Sequence, residues 1–158
     1  MSKKVVLAFS GGLDTSFCVP YLKNEHGYEV HTVMVNTGGF SAEEEKAIEE
    51  RALTLGAASH KNVNAVETYY TKGIKYLIYG NILKNATYPL SVSSERVFQA
   101  LEVLKHVKEL GAGAVAHGST GAGNDQVRFD IVFEILAPEV KIIAPVRDEG
   151  FTRQFEID

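Results

Sequence analysis

A chain of 158 residues that is 45 % hydrophobic can bury roughly 70 % of the surface its extended form exposes, enough for one core and one domain. Sixteen basic against twenty acidic side chains give a net charge of -4 and a pI near 5.7, so the positive footprint of a nucleic-acid or anionic-membrane binder is missing and small molecules are the expected partners. A lone cysteine, Cys18, offers neither an internal disulfide nor a zinc cluster, and the apolar run in "MSKKVVLAFSGG" is too short for a signal peptide or membrane span, which points to the cytoplasm.

The chain alternates strand and helix signals. "KVVLAF" (4–9) is apolar throughout and rich in β-branched residues, the mark of a strand covered on both faces. After it, Leu13, Phe17 and Tyr21 recur every four residues, so a helix opens just past Gly12, with Asp14, Thr15 and Ser16 as candidate caps. Pro20 is expected to kink or shorten it. "VHTVMV" (30–35) predicts a second strand, and Ser41 to Glu44 has the capping-box spacing for a helix reaching Leu55. A weak strand near 59–63 precedes a helix over about 66–79. A loop containing "NATYPLSVSS" then leads to a helix from about Glu95 to Leu110, stopped by Gly111. "AVAHGS" (114–119), "NDQVRFDIVFEIL" (124–136) and "KIIAPV" (141–146) complete the series as strand, helix and fifth strand.

This alternation predicts an α/β fold, a Rossmann-like parallel sheet with helices on both faces. Ligands of such sheets bind outside the carboxyl ends of the strands. Three stretches rich in small and polar residues lie there: "SGGLDTS" after the first strand, "NTGGFS" after the second and "HGSTGAGND" after the fourth. All three are expected to converge on one edge.

The first of these admits two readings. Paired glycines punctuate many ordinary turns. They also let a backbone approach phosphate closely, the following helix aims free N–H groups at it, and Ser10, Thr15 and Ser16 add hydroxyls. Neither a P-loop nor G-x-G-x-x-G is matched. The whole string "SGGLDTS", at a strand-to-helix junction, instead resembles the SGGxDS pyrophosphate loop of the ATP pyrophosphatase or PP-loop superfamily, whose fold is the adenine nucleotide alpha hydrolase-like sheet. Its members cleave ATP between the α and β phosphates.

Longer strings narrow the resemblance. "HGSTGAGNDQVRFD" (117–130) resembles the HGxTGxGNDQVRFE segment of the argininosuccinate synthase family, and "AFSGGLDTS" its AYSGGLDTS. "YPLSVS" (88–93), "VMVN" (33–36) and "KIIAPVR" (141–147) are similar to further segments of that family, so the resemblance spans essentially the whole chain. It implies that residues 1–158 are a nucleotide-binding domain and that the family's larger synthetase domain, which completes the citrulline site and builds a homotetramer, is absent from this chain. The implied reaction joins citrulline and aspartate at the expense of ATP, with Mg²⁺, giving argininosuccinate, AMP and pyrophosphate in arginine biosynthesis.

The resemblance also implies residue roles. Ala8, Phe9, Ser10, Gly11, Gly12, Asp14, Thr15, Ser16, Val35 and Gly118 fall to ATP, with Gly118 bare so that the nucleotide can lie against it. Thr120, Asn124 and Asp125 fall to aspartate. Tyr88, Ser93, Asn124 and Arg128 fall to citrulline, whose α-carboxylate a guanidinium can pair bidentately. Arg96 is expected to support that region. Asp14 and Asp125 are the candidate catalytic carboxylates, Asp14 in a metal-linked or loop-orienting role with a helix N-cap as the alternative. Metal is expected to arrive with ATP, not on a protein cluster.

The chain also departs from the family pattern. Ala122 stands where TGKGND has lysine, and "SERV" (94–97) replaces LARP, which brings in Glu95. These changes to the pocket's charge motivate an N-modified citrulline as an alternative substrate. Elsewhere blander readings are preferred. Tyr69, Tyr70, Tyr76 and Tyr79 are expected to pack in a core or interface, "EEEKAIEER" (43–51) to form a solvated helix face, and Cys18 to be buried packing. Two rivals share the fold. A tRNA-modifying adenylating enzyme should bring a basic surface, and a nucleotide-binding module without catalysis would have no use for "GNDQVRFD".

Overall fold

The computed structural model describes residues 3–121 and 123–151. Five parallel strands, β1 (Lys3–Ala8), β2 (Tyr28–Asn36), β3 (Ser59–Asn64), β6 (Ala114–His117) and β7 (Lys141–Ile143), form one sheet in the order β3-β2-β1-β6-β7. A second, two-residue antiparallel pair, β4 (Leu83–Lys84) and β5 (Tyr88–Pro89), lies in the long connection before β6. The central strand β1 is flanked by β2, with Ala8 opposite Val33, and by β6, with Ala8 opposite His117.

Side-chain alternation along β1 builds two cores. Val5, Leu7 and Phe9 pack with Cys18, Val19 and Leu22 of α1 (Leu13–Asn24), Ile48 and Ala52 of α2 (Ala42–Thr54), and Val146 of α7 (Pro145–Asp148). Val6, with Val33 and Val35 of β2, meets the opposite layer: Ala100, Val103 and Val107 of α5 (Ser91–Leu110), and Phe129 and Phe133 of α6 (Asp125–Leu136). The two-residue period of a strand thus feeds both helical layers.

Some local expectations are corrected. α1 runs on through Pro20 to Asn24, because the fully buried Cys18, Val19 and Leu22 anchor both sides of the proline to the sheet. The expected helix over 66–79 is α3 (Val66–Tyr69), a π-helical turn (Tyr70–Ile74) and α4 (Lys75–Tyr79). α5 begins at Ser91, four residues before the expected start, and 144–146 leave the last strand to enter α7, where proline fits the first turn. Of the tyrosines, Tyr69 is buried and donates to the Ser91 carbonyl at 2.6 Å, whereas Tyr70, Tyr76 and Tyr79 are exposed. Among the described residues no helix is long and apolar enough to cross a membrane.

Candidate functional site

Strand order reverses on either side of β1: β2 and β3 lie to one side, β6 and β7 to the other. The crevice outside the carboxyl ends of β1 and β6 is therefore the topological switch point, where α/β sheets bind ligands. A cleft of about 830 Å³ opens there, its walls drawn from the end of β1 and the start of α1, from β2 and the loop after it, from α5, and from the end of β6 and α6. The three small-and-polar stretches singled out in the sequence do meet: Ser10 and Gly12 from the first, Gly39 and Phe40 from the second, Gly118 to Thr120 from the third.

The loop after β1 is knit by its own hydroxyls. Thr15 Oγ1 donates to the Gly12 carbonyl at 3.2 Å and lies 3.2 Å from Ser10 Oγ, while the Gly12 N–H donates to Ser10 Oγ at 3.4 Å. Gly12 is the N-cap of α1, and no side chain caps the helix. Asp14, Thr15 and Ser16 are thus not its caps; the loop presses the glycine backbone into that place. Leu13, Asp14 and Thr15 of the first turn line the cleft, and the N–H groups of a first helical turn have no partner within the helix, the arrangement that favours a bound anion. Asp14 lies on the cleft wall, and its carboxylate makes no hydrogen bond or ion pair among the described residues.

Two glycines here answer to the protein's own packing. Gly11 has φ +74°, and a Cβ there would come within 2.9 Å of Ile48 Cγ1, so the loop leans on α2. Its carbonyl accepts a hydrogen bond from Arg51 Nη1 of the same helix. A Cβ on Gly118 would lie 3.0 to 3.1 Å from Thr15 Cγ2, Asp14 C and Thr15 N. The first turn of α1 thus already crowds a side chain at 118.

α5 and α6 supply the polar wall. Asp125 accepts from Arg96 Nε at 3.1 Å and from Arg128 Nη1 at 2.6 Å, and Arg128 Nη2 donates to Ser93 Oγ at 3.0 Å. Burial pulls the Asp125 pKa up, but the hydrogen bonds and charges of the two arginines outweigh it and hold the carboxyl below its usual range. Glu95 accepts through Oε1 from Thr37 Oγ1 at 2.6 Å and from Gln99 Nε2 at 3.3 Å, tying α5 to the end of β2.

Of the residues expected to bind ligand, Ala8, Phe9, Ser10, Gly12, Asp14, Thr15, Val35, Gly118, Thr120 and Asp125 line the cleft. Gly11 and Ser16 stand behind it, Ser16 donating its N–H to the Gly12 carbonyl at 2.9 Å. Asn124, Tyr88, Ser93 and Arg128 lie outside the cleft wall, with Ser93 and Arg128 joined to it through Asp125. Ala122 lies outside the described residues. Gln99, Ser119 and Gln126 line the cleft without having been singled out, and Arg51 was hidden in a charge run that read as a solvated face. Its position three residues past the buried Ile48 is the signal that could have turned it toward the loop.

A parallel sheet with a glycine loop at its switch point and an uncapped helix beneath defines a Rossmann-like α/β domain. Solved structures share that fold. A predicted tRNA methyltransferase subunit from Methanocaldococcus jannaschii superposes with TM-score 0.61 at 21 % identity, covering 98 % of this chain and 72 % of that one. An NH3-dependent NAD synthetase from Campylobacter jejuni does so with TM-score 0.57 at 16 % identity, covering 76 % and 48 %.

Sequence comparison is more specific. The model of the arginosuccinate synthase N-terminal HUP domain matches residues 4–158, and the chain belongs to that family. The argininosuccinate synthase of Xanthomonas campestris is 49 % identical over 147 residues, 93 % of this chain and 36 % of that protein. Those of Pyrobaculum aerophilum and Methanocaldococcus jannaschii are 44 % and 45 % identical over 99 % and 100 % of this chain, and 39 % and 40 % of their own length. The chain thus spans about two fifths of these relatives.

Proposed function

We propose that this chain is the ATP-binding part of a ligase that joins citrulline to aspartate through a citrulline adenylate, releasing AMP and pyrophosphate. The observation that carries the proposal is the "SGGLDTS" loop lying over the uncapped first turn of α1 at the switch point. The triphosphate sits above that turn, taking N–H groups from the helix and hydroxyls from Ser10 and Thr15. Adenine lies toward Val35 on β2. As citrulline's ureido oxygen attacks the α phosphate, charge gathers on the departing pyrophosphate, and these donors already point at it. Asp14, on the cleft wall, is the carboxylate placed to meet a magnesium ion carried by the nucleotide. When bound, that ion neutralises phosphate charge.

The second step is attack by the aspartate amine on the activated carbon, with AMP leaving. Thr120, Asn124 and Asp125 hold aspartate in this reading, Asp125 by fixing Arg96 and Arg128. The remaining N–H groups of Arg128, with Ser93, Asn124 and Tyr88, receive the citrulline carboxylate. Glu95 shares its charge with Thr37, Gln99 and, at 3.7 Å, Arg96, so an acylated citrulline nitrogen meets no unpaired acid there. Citrulline, free or N-modified, is the expected acceptor. The remaining citrulline contacts and a homotetramer belong to the part of the relatives' length beyond this chain, and the cytoplasm is the expected compartment.

Two measurements test the reading. Calorimetric titration should detect ATP binding by the chain and its loss in Gly12→Val. A Cβ at Gly12 meets only Ser10 Oγ, at 3.4 Å, so the branched methyls intrude on the ligand more than on the protein. Unchanged affinity removes the loop assignment. In the protein at its full natural length, AMP and pyrophosphate release should require both aspartate and a citrulline, and comparing plain with N-acylated citrulline ranks the two. Nucleotide binding without AMP under any citrulline would leave a binding module.

A further inference from the structure

His117 ends β6 on the cleft wall, 1 % exposed, its ring stacked on Phe129 with centroids 5.6 Å apart. A buried histidine in a cleft invites the role of general base, and its bonding argues against that. The Ser119 N–H reaches Nδ1 at 3.3 Å, and since an amide can only donate, Nδ1 accepts. The ring proton is therefore on Nε2, which lies 2.9 Å from Asp130 Oδ1 and donates to it. The other Asp130 oxygen pairs with Arg147 Nη1 from α7. Both ring nitrogens are thus committed within the protein, and neither lone pair nor proton is left for a substrate.

What these bonds hold is the main chain after β6. The Ser119 amide hangs from His117. Gly121 lies against the Arg147 stem, where a Cβ would be 3.7 Å from Cγ, and its carbonyl accepts from Gln126 Nε2 at 2.8 Å. Gly118 is pinned separately by the first turn of α1. The nucleotide side of this loop is therefore set by α1, and residues 119 to 121 by α6 and α7. Burial pushes the Asp130 pKa up, and the bonds and charges of His117 and Arg147 more than reverse it, so the anchor stays ionised.

We propose that His117, Asp130 and Arg147 form a positioning relay that sets the Ser119 and Thr120 backbone for the aspartate substrate, with His117 taking no proton in the reaction. The aspartate assignment rests on the function proposed above; the relay itself does not. Asp130→Asn removes the charge and lets the carboxamide present either a donor or an acceptor to the ring, while Asp130→Glu keeps the acceptor. In the full-length protein, Asp130→Asn should raise the KM for aspartate about tenfold and leave that for ATP within about twofold, and Asp130→Glu should restore most of the loss. Arg147→Gln, which spares the His117 to Asp130 bond, should give a smaller rise and serves if Asp130→Asn fails to fold. Two-bond 1H–15N correlations on 15N-histidine-labelled protein should find His117 protonated on Nε2 in the wild type and a mixture of tautomers in Asp130→Asn.

An unchanged aspartate KM, an equal rise for both substrates, or wild-type His117 protonated on Nδ1 overturns the relay. If the unaltered protein never forms AMP from ATP, aspartate and a citrulline, the functional reading fails, and the imidazole spectrum still decides whether the relay exists.

Discussion

Arg51 shows how a residue outside the cleft governs its shape. Its guanidinium grips the Gly11 carbonyl from α2 and holds the glycine in its left-handed conformation against Ile48. Arg51→Met keeps the aliphatic stem and removes the bond, so calorimetry should show weaker ATP binding, by about three- to tenfold if one charged hydrogen bond's worth of loop order is lost. The melting temperature should stay within a few degrees, because the side chain is exposed. Residues such as Ser10, Gly12 and Thr15 were legible because loop chemistry and position agreed. Arg51 was not, because its contact depends on how α2 lies against the loop, 40 residues away in sequence. Ser93 and Arg128 were legible as types, but the direct bond between them follows only from α5 and α6 lying side by side.

Elements were read best where periodicity and punctuation coincided. α5 stops at Gly111, which has φ +60° and open space around the place of a Cβ. Gly111→Ala should therefore cost about 1 kcal/mol through backbone strain alone, lowering the melting temperature by about 2–4 °C with no change in ligand affinity. The stretch between β3 and α5 was read worst. Its hairpin turns through Asn85 and Ala86, with φ +56° and +58°. Asparagine tolerates that region and alanine gives no hint of it. The π-helical turn at Tyr70–Ile74 passes close to α5, where a Cβ on Gly73 would be 3.0 Å from Phe98 Cε2. A contact of that kind leaves no periodic trace in the sequence.

For the molecule as a whole, pH should act in two stages. Burial lowers the pKa of His31 and of His60, so on acidification the unfolded chain takes up protons first, from about pH 6.5 downward, and stability falls. Asp125 and Asp130 have folded pKa values below their ordinary ones. Their contribution is complete above about pH 4 to 5 and is lost as pH drops through the folded values. Melting temperature followed by circular dichroism from pH 8 to 3 should decline in those two windows, and His31→Gln with His60→Gln should flatten the first. A single transition confined to the lower window would assign the acid response to the carboxylates alone.

The cleft draws its walls from both helical layers and from segments between residues 8 and 129, joined only at the sheet's switch point. No subset of elements can assemble it, so the unfolded chain has nothing to offer a ligand. A bound nucleotide is then linked to the global folding equilibrium. At a hundred times its dissociation constant it would add about 2.7 kcal/mol to stability, and it would slow amide exchange on both faces of the sheet together.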